Sequence, residues 1–82
     1  MRLTKANREL LLKLNEGFKR STYFKNRNIE ETTSYLIKGG KLFITKKGKT
    51  SWADSHYNHT HIADDEEIHR FLYNFLNQLK KP

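Results

Sequence analysis

Two adjacent glycines, Gly39 and Gly40, separate two short runs of residues that favour β-strands, 33–37 and 41–45. A Gly-Gly pair suits the two-residue type I′ turn of a β-hairpin, because both central residues of that turn need a positive φ. A turn of this length also determines the register, so that the residues on either side of the glycines pair with each other. Alternation then places four apolar residues on one face: Tyr35, Ile37, Leu42 and Ile44. The sequence therefore predicts a hairpin with one apolar face, and Leu36, Lys38, Lys41, Phe43 and Thr45 on the other.

The residues after this hairpin predict further β-structure. Residues 46–48, with the sequence Lys-Lys-Gly, fit a three-residue turn followed by a third strand that places Trp52 on the apolar face. Residues 55–62 are expected to form either a loop or a fourth strand at the sheet edge. An alternative interpretation makes 28–38 a helix that begins with a capping box at Asn28, and the hairpin then resembles the wing of a winged-helix protein.

Two helices are predicted, one on each side of the β-structure. The second, over about 64–80, carries six apolar residues at helical spacing: Ile68, Phe71, Leu72, Phe75, Leu76 and Leu79. Four acidic residues, 64–67, lie at its beginning, where negative charge stabilises a helix N-terminus. The first helix is predicted to begin with Thr4 as its N-cap and to end near residue 20. Its apolar stripe is predicted to be Leu10, Leu11, Leu14 and Phe18.

The predicted fold is therefore α+β, with the element order α-β-β-β-α in a single small domain over residues 1–82. Both helices are expected to pack on one face of a three- or four-stranded antiparallel sheet and to leave the other face open. This element order resembles that of double-stranded-RNA-binding domains. The acidic residues 64–67 stand where that family carries lysines, so the resemblance is one of topology alone and implies no function.

Positive charge is concentrated in the first part of the chain. The formal net charge is +7, and residues 1–50 hold thirteen Lys or Arg against four Asp or Glu, whereas residues 51–82 hold three against five. A basic surface favours an anionic partner, so DNA or RNA is predicted as the partner and an acidic protein is the alternative. No membrane partner is predicted. Because the sequence holds no cysteine and no long apolar N-terminal run, a cytoplasmic location is expected.

Nine residues form the predicted nucleic-acid-binding site. Five of them are lysines of the hairpin region: Lys38, Lys41, Lys46, Lys47 and Lys49. Lysines on a protruding, rigid β-ribbon are suited to phosphate contacts. The connecting segment 19–28 adds Arg20, Lys25 and Arg27, while its Tyr23 and Phe24 are expected to fill the core. Phe43, opposite Leu36 on the open side of the hairpin, is the ninth residue, because an exposed aromatic ring can stack on unpaired bases.

A group of histidines is the candidate metal site. His59 and His61 would share one face of a strand, and His56 or His69 would supply a third ligand. The segment is polar and expected at the surface, where histidines need no metal, so no metal and no cofactor are predicted. The chain is predicted not to be an enzyme, because it has no cysteine nucleophile and no glycine-rich phosphate loop. The predicted function is that of a small nucleic-acid-binding accessory or regulatory protein. A protein-interaction module or inhibitor that docks on an acidic partner is the alternative.

Overall fold

The chain forms one antiparallel sheet with a helix before it and a helix after it, in a computed structural model that describes residues 2–50 and 55–81. In chain order the elements are α1 (Lys5–Leu14), β1 (Lys19–Lys25), β2 (Ile29–Lys38), β3 (Lys41–Thr50), β4 (Ser55–Ile62), α2 (Asp65–Phe75) and a 3-10 turn (Leu76–Gln78). The strands lie side by side in the order β1-β2-β3-β4. The predicted α+β arrangement, with three or four strands between two helices, is confirmed.

The β2–β3 hairpin folds as its glycines indicate. Gly39 and Gly40 have φ values of 62° and 72°, and Lys38 pairs with Lys41 next to them, in the predicted register. The predicted apolar residues form the inner face of the hairpin: Ile37, Leu42 and Ile44 are buried, and Tyr35 packs against them. The alternative of a helix over 28–38 is wrong, because β2 covers nearly all of these residues. Their run of Thr, Ser and Tyr side chains favours a strand over a helix.

The turn predicted at residues 46–48 is wrong, because β3 continues through it to Thr50. Gly48 pairs with a β4 residue, Tyr57, and a Cβ at position 48 would lie 2.5 Å from the tyrosine hydroxyl oxygen. The glycine is therefore needed to accommodate a cross-strand ring, not to form a turn. Residues 49 and 50 belong to β3, so no separate third strand begins there, and Trp52 lies outside the described residues. The next described strand is β4, so of the two alternatives for residues 55–62, a loop or a fourth strand at the sheet edge, the strand is correct.

β1 occupies a segment that was predicted to be a connection. It pairs with β2 over its whole length, from Lys19 opposite Leu36 to Lys25 opposite Glu30. The chain then reverses at Asn26, whose side-chain oxygen accepts two backbone N–H groups of the turn at 2.8 Å. Every residue of β1 is exposed, and Tyr23 and Phe24 are 60% and 57% exposed. The expectation that these two rings fill the core is therefore wrong.

α1 begins at its predicted N-cap and ends before the predicted position. Thr4 caps it by accepting the N–H of Asn7 at 3.2 Å. The helix ends at Leu14 instead of near residue 20, because Gly17 turns the chain with a φ of 83°. The buried residues are Leu11 and Leu12, so the apolar stripe is displaced from the predicted one, in which Leu10 and Leu14 took part.

α2 carries its apolar stripe as predicted. Asp64 and Glu67 form a capping box at its start, with each side chain accepting the other residue's backbone N–H. Phe71 and Leu72 are buried in the core, and Leu79 follows them after the 3-10 turn. The α-helix itself ends at residue 75, short of the predicted end near 80, because the last turn tightens to 3-10 geometry.

The hydrophobic core lies at one end of the sheet, next to the β2–β3 turn. Its buried apolar residues are Leu11, Leu12, Ile37, Leu42, Ile44, Ala63, Phe71, Leu72 and Leu79. β2 and β3 are each ten residues long, and their outer residues extend beyond the two helices. The molecule is therefore elongated, at 46 × 21 × 19 Å. Within the described residues, one face of the sheet is uncovered along its whole length.

Candidate functional site

The side of the sheet away from the helices, called the open face below, is formed by alternate residues of all four strands. The register arranges them in rows across the sheet: Lys19, Leu36, Phe43 and Ile62; Ser21, Ser34, Thr45 and Thr60; Tyr23, Thr32, Lys47 and Asn58; Lys25, Glu30, Lys49 and His56. Lys38 and Lys41 extend the face next to the hairpin turn. In the second row, the Ser21 and Ser34 hydroxyls lie 3.0 Å apart, and those of Thr45 and Thr60 lie 2.8 Å apart. These contacts show that alternate side chains do share this face.

The open face is strongly basic. Among the described residues it carries one carboxylate, that of Glu30, and six lysines: Lys19, Lys25, Lys38, Lys41, Lys47 and Lys49. The Tyr23 hydroxyl donates a hydrogen bond to Glu30, and the Lys49 Nζ lies 3.7 Å from its Oε2. The hydrogen bond from Tyr23, more than the nearby lysines, holds the pKa of Glu30 below its usual value. The single carboxylate is therefore ionised at neutral pH and already has partners, and the face keeps a large excess of positive charge.

The structure divides the nine predicted site residues between the two sides of the sheet. Six lie on the open face: Lys25, Lys38, Lys41, Phe43, Lys47 and Lys49. Lys46 lies on the helix side of β3, near Glu67 of α2. Arg20 also lies on the helix side, where its Nε donates to the Gln78 Oε1 at 2.5 Å. Arg27 lies in the β1–β2 turn at the outer end of the sheet. A turn at 46–48 would have clustered three lysines, whereas the continuous strand separates Lys46 from the other two.

An apolar row crosses the basic face near its inner end. Leu36 and Phe43 are half-buried, and Ile62 is 54% exposed. Two shallow depressions lie on the outer side of this row, one of about 330 Å³ over β1 to β3 and one of about 410 Å³ over β2 to β4. Lys47 lines both depressions. This lysine therefore lies at the centre of the open face.

The histidines do not form a metal site within the residues that the structure describes. His59 and His61 share the helix side of β4, with ring centroids 6.0 Å apart, while His56 faces the opposite side of the sheet. The His61 Nε2 lies 2.9 Å from the Glu67 Oε2. This contact, and then the backbone N–H of Asp64, lower the pKa of Glu67. Across residues 2–50 and 55–81, no three histidine or carboxylate side chains are placed together to hold a metal ion.

β1 adds residues to the open face that were not among the predicted site residues. Lys19, Ser21 and Tyr23 alternate along this strand and lie on the same side as Phe43 and Lys47. The available signal was the Thr-Tyr-Phe run at 22–24, since these residue types favour strands. Tyr23 is the most exposed aromatic ring on the open face.

Comparison with protein-family models, with curated proteins and with solved structures gives no match for this chain. None of the helices in the described part of the chain is long and apolar enough to cross a membrane. Function is therefore inferred from the geometry and the charge of the open face.

Proposed function

We propose that this protein binds nucleic acid along the open face of its sheet, as an accessory or regulatory protein and not as a catalyst. The observation that supports this proposal is the charge on that face: among the described residues it carries six lysines and one carboxylate that already has two partners. The charge lies on the side of the sheet that the core does not use, and no helix or strand in the described part of the chain packs over it.

The arrangement of the lysines suits a polyanion better than a single small anion. They are distributed over three strands and along the whole length of the face, from Lys38 and Lys41 at the inner end to Lys25 and Lys49 at the outer end. A phosphodiester backbone carries one negative charge per nucleotide and can contact several of these lysines at once. The serine and threonine hydroxyls in the second row add hydrogen-bonding groups of the type that contact phosphate and sugar.

The adjacent residues Lys46 and Lys47 provide a matched test, because they lie on opposite faces of β3. We expect Lys47→Gln to weaken binding of a fluorescein-labelled oligonucleotide, measured by fluorescence anisotropy between about 50 and 200 mM salt. Removing one phosphate contact should also reduce the log–log salt slope by about 0.7 to 0.9. Lys46→Gln removes the same charge from the helix side and should leave both the affinity and the slope unchanged.

Two results would contradict the proposal. One is equal weakening by the two substitutions, which would show that only the total charge matters. The other is the absence of binding to DNA and RNA at about 50 mM salt, where phosphate contacts are strong. In that case an acidic protein partner becomes the leading candidate, and its capture should depend on Lys47 and not on Lys46.

A further inference from the structure

The width of the open face restricts which form of nucleic acid it can bind. Four strands spaced about 4.8 Å apart place the outer strand axes about 14 Å from each other, before any side chain is added. The smallest dimension of the molecule is 19 Å. The major groove of B-DNA is about 12 Å wide and admits one helix or a two-stranded ribbon, so the four-stranded part of this sheet does not enter it. The narrower β2–β3 turn is bonded to the segment that follows α1, because the Glu16 side chain accepts the N–H of Gly39 at 2.8 Å. A duplex would therefore contact only the surface lysines.

The apolar row on the open face has no partner on a duplex. The outside of a duplex presents phosphates and sugars, and its base faces are stacked inside. Phe43 and Leu36 lie between the lysines of the hairpin turn and the hydroxyl row, so a ligand that contacts both Lys41 and Lys47 passes over them. The faces of unpaired bases stack favourably on aromatic rings, whatever the base. Tyr23 offers a second ring on β1, and its hydroxyl is held by Glu30 while 60% of the residue stays exposed.

From these two observations we infer that the ligand of the open face is a single-stranded nucleic acid. Its phosphates contact the lysines, and at least one of its bases stacks on Phe43. This inference rests on the proposed function, but it makes a separate claim, since a purely electrostatic surface would bind duplexes at least as well as single strands.

The two phenylalanines Phe43 and Phe24 provide the matched test. Phe43 lies on the open face, whereas Phe24 is 57% exposed on the helix side of β1. The probes are a labelled single-stranded DNA of about 16 nucleotides and the same strand annealed to its complement. At one salt concentration we expect the unmodified protein to bind the single strand more tightly. Phe43→Leu keeps an apolar side chain but removes the ring, and it should weaken single-strand binding about tenfold with little effect on the duplex. Phe24→Leu should change neither.

Each outcome bears on a different claim. Equal or tighter binding of the duplex, or equal losses with Phe43→Leu and Phe24→Leu, would overturn the single-strand inference. If one of these results occurred and Lys47→Gln still weakened nucleic-acid binding, the proposed function would stand without the single-strand inference. Failure of both probes, and of an RNA strand of the same length, to bind at about 50 mM salt would overturn the proposed function and the inference together. Phe43→Trp serves as a second variant, because it restores an aromatic face, and it should recover the single-strand affinity that Phe43→Leu loses.

Discussion

Substitution of Gly48 by alanine tests the finding that β3 continues through residue 48. The added Cβ would lie 2.5 Å from the Tyr57 hydroxyl oxygen, 2.6 Å from its Cζ and 2.7 Å from the backbone carbonyl oxygen of Glu30. The tyrosine ring can rotate away, but it would then give up its hydrogen bond to the Glu31 carboxylate. The carbonyl belongs to β2, so moving it distorts the pairing of two central strands.

The expected loss of stability in Gly48→Ala is the difference between two opposing effects. Crowding of a packed site by one extra carbon costs about 1 to 3 kcal/mol. Replacing glycine by alanine in a strand returns about 0.5 to 1 kcal/mol, because the unfolded chain loses conformational freedom. Contacts of 2.5 to 2.7 Å put the crowding cost in the upper part of its range, so the expected net loss is about 1 to 2 kcal/mol. For a domain of this size, each kcal/mol lowers the melting temperature by about 4 to 8 °C. Gly48→Ala should therefore melt about 5 to 15 °C below the unmodified protein.

Thermal unfolding followed by circular dichroism measures this shift, and Tyr57→Ala provides the control background. Without the ring, Gly48→Ala should cost less than in the unmodified protein, since of the three shortest contacts the two with Tyr57 are removed and that with the Glu30 carbonyl remains. A Gly48→Ala protein that melts at or above the normal temperature would refute the reasoning. It would mean that residue 48 lies in a loop with free space around it.

Two further predictions concern the helix side of the sheet. Phe71→Ala should destabilise the fold by about 3 to 5 kcal/mol, because this buried ring packs on three other aromatic rings, and an unchanged melting temperature would contradict its place in the core. The hydrogen bond from His61 keeps the pKa of Glu67 below 4.5, so its contribution to stability is present above that pH and is lost as the pH falls through the lowered value. Glu67→Gln should therefore reduce the fall in melting temperature that occurs as the pH drops below about 4.5. Glu66→Gln is the control: it removes only an exposed contact with Arg70 and should not reduce this fall.

The hairpin could be predicted from sequence because two signals of different origin agree there. The Gly39-Gly40 pair has the backbone freedom that the turn requires, and the apolar alternation on both sides reflects burial under the helices. In β1 the second signal, the alternation of apolar residues, is absent. All seven residues of β1 are exposed, so none of its side chains had to be apolar. The strand therefore has no alternation of apolar residues that would indicate burial. Its pairing with β2 is visible only in three dimensions.

Gly48 shows why the candidate site was harder to predict than the fold. A glycine within a strand can indicate a turn or a close approach by another group, and the sequence around it does not distinguish the two. Here the approaching group is Tyr57, which lies nine residues further along the chain. The choice between these interpretations decides whether Lys46 lies in a turn, close to Lys47 and Lys49, or on the helix side of a continuous β3. An error at one glycine therefore changed the composition of the predicted site, whereas the apolar face of the β2–β3 hairpin stayed as predicted.

The continuous β3 strand also makes function and stability separable in this small protein. Because alternate residues of β2 and β3 face opposite sides, Ile37 and Leu42 build the core while Lys38 and Lys41, their neighbours in sequence, build the open face. Exposed lysines contribute little to folding free energy, so their removal should alter binding without unfolding the chain. Because of this alternation, the excess positive charge of residues 1–50 is placed on the surface of the sheet. Neutralising a lysine on the open face and neutralising its neighbour on the helix side change the net charge equally, and under the proposed function only the first should weaken nucleic-acid binding.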